Sequence, residues 1–177
     1  MHRNRGVSNP ELEVRLNALE RDALAIATAE PLASFSYAGA LLAELAGAHE
    51  WDLLRVQAER HVDSADRPVA VQAKRMLALS LAHSPDAADQ ATATGIYQTL
   101  IQENLSEAID IGNLVTLLVN ASNFKEAKLV TLDSIEKFPA KAADYLFEVG
   151  LRIVEATGDR GFRKQLEAAV AARGKRD

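Results

Sequence analysis

The sequence predicts an all-α domain of about nine helices, on three observations. First, 32 Ala and 23 Leu, both strong helix formers, are spread along 177 residues. Second, Gly and Pro are sparse, at 9 and 5. Third, apolar residues recur at steps of three and four, with no sustained alternation of the kind a strand needs. The length suits one compact domain, large enough to hold a core without a disulfide or metal. With no Cys, disulfide scaffolds, thiolate metal sites and cysteine nucleophiles are excluded. The net charge of −5 and pI near 5.4 argue against nucleic acid and anionic membranes as partners. A hydrophobic content of 48% argues against a disordered chain. The basic start of the chain is followed by no apolar core, so no secretory signal is expected. The longest apolar stretch, 38–48, is broken by Glu44 and too short to insert in a bilayer. A cytoplasmic location is expected by elimination.

The elements follow in order. Residues 1–7 are polar and are expected to be mobile. Ser8 as cap, Pro10 in the first turn and Glu11 three residues after Ser8 start a helix over 9–30. Leu12, Leu16, Leu19, Ala23 and Ile26 form its apolar seam, and Pro31 closes it. The seam covers only about two heptads, too few for a free coiled coil. A helix over 35–47 breaks at His49-Glu50, and 51–63 is the next. Asp66-Arg67-Pro68 opens a helix reaching about His83, and Ser84-Pro85-Asp86 turns the chain into 87–104. Ser106 is expected to cap a helix ending near Ala121, and Asn123 with Glu126 to cap the one that stops before Pro139. A helix over 140–156 ends at Thr157-Gly158-Asp159, where Asp159 caps a last helix to about Ala172. The residues from Arg173 onward read as a charged tail, the last four (174–177) lying outside the domain. Links of two to five residues make neighbouring helices antiparallel, giving hairpins over about 35–66, 68–104, 106–138 and 140–172.

Aromatics follow three of the turns: Trp51, Phe124 and Phe162, separated by 73 and 38 residues. A period in the middle thirties with two helices per period resembles the tetratricopeptide repeat. Residues 108–139 carry the likeness best. Ile111, Leu114 and Leu118 occupy the family's large-residue sites, Phe124-Lys125-Glu126-Ala127 its aromatic-x-x-Ala opening, and Pro139 its closing proline. Ala127 would be small because the two helices approach closest there. Phe124 would plug the hairpin end. The other units depart from the pattern: Leu54 replaces the small residue after Trp51, and Leu42, Ala78 and Val115 stand where the family has glycine. The resemblance implies hairpins stacked into a right-handed superhelix, with first helices lining a concave groove and the 9–30 helix and the last helix covering its ends.

No chemistry-bearing motif rises above this architecture. The histidines His2, His49, His61 and His83 show no metal-ligand spacing, and there is no HExxH, phosphate loop or GxSxG. Neither an enzyme nor a cofactor is expected. The groove stripe is more informative. Asn113, Thr116 and Asn120 share one face of an otherwise apolar helix. Tyr145, Glu148 and Arg152 take the same phase on the next hairpin, and Gln72, Arg75, Met76, Leu79 and His83 on the preceding one. Partner-binding candidates are therefore Arg75, Met76, Leu79, Asn113, Thr116, Asn120, Tyr145 and Arg152. The polar members suit a peptide backbone, and the arginines a carboxylate. The first hairpin offers Ser36, Gly39, Ala40, Ala43 and Gly47, small enough to admit a helix, either a partner's or the chain's own 9–30 segment. The expected function is a non-enzymatic adaptor or chaperone that holds a peptide or helix of another protein. The alternatives are a scaffold self-associating, as a homodimer, through Leu12, Leu16, Leu19 and Ile26, or an accessory domain to an enzyme.

Overall fold

The computed structural model describes residues 14, 15, 18 and 42–173. All described secondary structure is helical, with no strand among the described residues. Residues 42–47 are helical, and seven further helices follow: α1 (Trp51–Glu59), α2 (Arg67–Ala82), α3 (Ala87–Gln102), α4 (Ala108–Asn120), α5 (Phe124–Lys137), α6 (Ala140–Thr157) and α7 (Arg160–Arg173). The seam residues Leu12, Leu16, Leu19 and Ile26, and most of the expected 9–30 helix, lie outside the described residues. None of the described helices is long and apolar enough to cross a membrane.

The chain divides into two compact units, Met1–Met76 and Leu77–Asp177. In the first, Leu42, Leu45, Leu54, Ala58, Val69 and Ala73 are buried. Helix α1 stops at Glu59, short of the expected 63, and the chain continues through turns to Asp63.

In the second unit, α4 packs on α3, α5 and α6. Helix α5 packs also on α6 and α7, and α6 on α7. The α4–α5 hairpin therefore touches the α6–α7 hairpin through both its first and its second helix. The apolar spacing read from the sequence produces this packing. Ile111, Leu114, Val115 and Leu118 of α4 are buried, as are Leu146, Val149 and Ile153 of α6. Ala127 is fully buried near the start of α5, as a close helix approach requires.

The turns repeat as well. His49, Asn104 and Ser122 take left-handed backbone conformations, with φ of 58°, 56° and 58°. Each is followed by the same pair of bonds. Glu50 N–H donates to the Leu45 carbonyl, Leu105 to Leu100 and Asn123 to Leu118, while His49, Asn104 and Ser122 donate to Ala46, Ile101 and Val119. This is the Schellman closure, which satisfies the last carbonyls of a helix. Gly158, at φ 68°, closes α6 by the simpler single bond to the Val154 carbonyl. Ser122 and Gly158, which close α4 and α6, stand 36 residues apart, while His49 and Asn104 lie 73 and 18 residues before Ser122.

Asp159, expected to cap the last helix, caps α7 by accepting the Phe162 N–H at 3.0 Å, and Asp86, read only as part of a turn, caps α3 by accepting the Ala88 N–H at 2.8 Å. At α4 the cap position belongs to Glu107 rather than Ser106, and the buried Asp110 carboxylate accepts the Glu107 N–H at 2.7 Å. Asn123 stands at the α5 cap position without a side-chain cap bond. Its amide donates to the Glu126 carboxylate at 2.6 Å, and the same carboxylate accepts from Gln98 of α3 at 2.7 Å. Glu126 thus ties two hairpins together while also bonding the side chain at its own helix start.

Arg173 ends α7, and its Nη1 donates to the carbonyls of Ile135 and Glu136, each at 2.9 Å. A cation placed on the last carbonyls of α5 is favourable because that end carries partial negative charge.

Candidate protein-binding face

The candidate residues divide between the two units. In the first, Arg75 is 8% exposed, and its Nη1 donates to the Gln72 Oε1 at 3.0 Å. It is a buried, bonded side chain rather than the open charge-reading group expected from the sequence. Met76 is half-buried in the same unit, and Leu79 half-buried in the second.

Helices α4 and α6 pack side by side and bring the remaining residues to adjacent elements. Thr116, Asn120 and Arg152 are exposed, and Tyr145 is 36% exposed. Tyr145 reaches from α6 to α4. A β-carbon built on the buried Gly112 would collide first with the Tyr145 hydroxyl and then with its ring. Gly112 is therefore the seat of this tyrosine. Burial pushes the Tyr145 phenol above its ordinary value, and the Arg152 charge offsets part of that rise. At neutral pH the phenol keeps its proton and can both donate and accept.

Asn113 serves a different purpose from the one its spacing suggested. It is half-buried, and its Nδ2 donates to the hydroxyl of Tyr97 at 3.1 Å. Tyr97 is fully buried on α3, where an unpaired hydroxyl would be costly. Asn113 is therefore a weak probe of partner binding, since its removal also disturbs the core. Thr116 donates its hydroxyl to the Gly112 carbonyl one turn earlier, at 2.9 Å.

Three supports of this face were not legible in the sequence. Gly112 had a signal, a lone glycine in a helix of large apolar residues, but nothing local pointed to Tyr145. Gln98–Glu126 was the second. The third is a clamp from α5 to the turn before α7. Lys128 Nζ lies 2.6 Å from the Asp159 carboxylate and 5.5 Å from the centre of the Phe162 ring. The Lys128 hydrogen bond, followed by that from the Phe162 N–H, holds the Asp159 carboxyl below its ordinary value. That pair is partly exposed, so it fixes geometry more than it adds stability.

The open face offers a phenol, a guanidinium, a hydroxyl and an amide on two packed helices. These groups can hydrogen-bond a peptide main chain and pair with a carboxylate. Among the described residues, no group of three or more His, Asp or Glu side chains is placed to hold a metal ion. No protein-family model, curated protein or solved structure matches the chain.

Proposed function

We propose that the chain is a tetratricopeptide-like adaptor or chaperone without catalytic activity, working in the cytoplasm. In this reading the hairpins continue as a right-handed superhelix, and a peptide or helix of another protein lies across α4 and α6. One observation carries the reading. Tyr145 and Arg152 of α6 and Thr116 and Asn120 of α4 are exposed polar side chains on two helices that pack together, and Tyr145 reaches Gly112 of α4. The contacts between successive hairpins and the repeated left-handed turns support the architecture. Function is argued from this face and not from the fold, because helical arrays serve many purposes.

A partner held here would bury the Tyr145 ring and pair an acidic group with Arg152. Burying a few anchors, less the cost of ordering, corresponds to micromolar affinity, about −8 kcal/mol. Arg152→Glu replaces attraction with repulsion and should weaken partner capture by about tenfold or more. Its position is exposed, so helix content and melting temperature should stay close to wild type. Quantitative pull-down of the partner, beside circular dichroism of both proteins, makes the comparison. Equal capture by a folded Arg152→Glu protein would remove α6 from the binding face.

A further inference from the structure

A cleft of ≈ 210 Å³ opens where the C-terminal ends of α3 and α5 meet the start of α4. Helix α3 meets α5 through the Gln98–Glu126 hydrogen bond but packs on it less closely than α5 packs on α7 one hairpin further on. There Arg173 also covers the last carbonyls of α5. The gap between α3 and α5 has no such filling. Its apolar walls are Ile101, Ile111, Val130 and Phe138.

Three polar side chains of α5 distinguish this cleft from a packing defect. Ser134 lines it and is only 5% exposed, and among the described residues no bond from its hydroxyl to the carbonyl one turn back is present. Helical hydroxyls commonly bond the carbonyl one turn back, as Thr131 does to Ala127 at 2.8 Å. Asp133 and Lys137 also line the cleft, one turn apart and both exposed. An acid and a base at this spacing usually pair, but among the described residues Asp133 and Lys137 form no ion pair with each other. The cleft therefore presents one negative group, one positive group and one hydroxyl around an apolar interior.

We propose that this cleft binds a single free apolar α-amino acid of about leucine or phenylalanine size. Its side chain lies between Ile101, Val130 and Phe138. Its ammonium faces Asp133, its carboxylate faces Lys137, and the Ser134 hydroxyl bonds one of these two ends. Size supports the assignment: an apolar cavity of about 150 Å³ accepts benzene, so this volume holds a branched or six-membered side chain and its Cα. Charge supports it too, because a simple anion would meet Asp133 and a simple cation Lys137. This site is separate from the α4/α6 face and does not depend on the reading of that face.

The test is a titration of the ¹⁵N-labelled full chain, followed by amide shifts, with L-leucine, N-acetyl-L-leucine and L-leucinamide. L-leucine should give saturable shifts at residues 101, 111, 130 and 134, with a dissociation constant of about 1 mM. Each capped analogue, having lost one charge, should bind about threefold more weakly. Asp133→Asn should abolish the preference over N-acetyl-L-leucine alone, and Lys137→Gln the preference over L-leucinamide alone. Both positions are exposed, so these variants should fold as wild type. No saturable shift at these amides up to about 50 mM L-leucine would overturn the proposal. Equal binding of all three probes would overturn it as well, leaving an apolar cleft with no use for the two charges.

Discussion

Phe162→Ala should destabilise the second unit by about 3–5 kcal/mol. The side chain is 2% exposed on α7, beneath the Lys128 ammonium that also pairs with Asp159. Truncation removes the ring's transfer energy and leaves a cavity that the helices can close only in part. It also deprives Lys128 of its aromatic neighbour, although the exposed Lys128–Asp159 pair adds little by itself. The effect should appear as a lower urea midpoint in the transition of this unit, with helix content retained at low denaturant. A loss below about 1 kcal/mol would mean that Phe162 is not a core residue of the last hairpin.

Gly150→Ala should destabilise by about 1–2 kcal/mol, although alanine is the better helix former by up to about 1 kcal/mol. The added β-carbon would sit 2.7 and 2.8 Å from the two Leu166 methyls and 3.2 Å from the Thr131 methyl. Leu166 and Thr131 are both fully buried, so neither can swing into solvent to make room. Three helices, α5, α6 and α7, meet at this glycine, and overpacking there forces a helix apart. Gly95 supplies the comparison. Nothing lies within 4 Å of its built β-carbon, and the residue is exposed on α3. Gly95→Ala should therefore stabilise by about 0.5–1 kcal/mol. Thermal unfolding of the two variants checks both signs, and a stabilising Gly150→Ala would contradict the packing of α6 against α7.

The sequence makes the helices legible and leaves many of their side-chain bonds hidden, for a physical reason. Helix content and phase depend on neighbours three and four residues apart, so Ile111, Leu114 and Leu118 announce a buried stripe directly. Asp86 and Asp159 are caps that bond within two or three residues, and they too are readable. The misses involve partners far along the chain. Asn113 is occupied by Tyr97, 16 residues away, and Glu126 by Gln98, 28 residues away. Arg173 reaches back 38 residues to Ile135. No local pattern encodes these meetings, because they exist only once hairpins have stacked. Arg75 is a different case, because its partner Gln72 lies only three residues away and it was the burial that local spacing did not reveal. Its place in a helical phase with Gln72 and Leu79 suggested an open face, whereas its guanidinium is taken up by Gln72 and its side chain is buried. Gly112 falls between the two cases: its small size was visible, and its purpose as the seat of Tyr145 was not.

The left-handed turns add a level that residue patterns alone do not convey. His49, Ser122 and Gly158 are three different residue types in one conformation at equivalent turns. A search for glycine alone misses such turns, because the backbone conformation is shared while the residues differ. The non-glycine members carry a backbone cost that their Schellman bonds offset.

The most direct test of the binding face is site-specific photo-crosslinking from two exposed positions on neighbouring helices. A photoreactive residue replaces Thr116 on α4 in one protein and Leu129 on α5, 57% exposed, in the other. If α4 and α6 hold the partner, irradiation in the presence of that partner should give a covalent complex from position 116 and none from position 129. Crosslinks from 129 alone, or equal crosslinks from both, would contradict the account and move the binding surface to the outer helices.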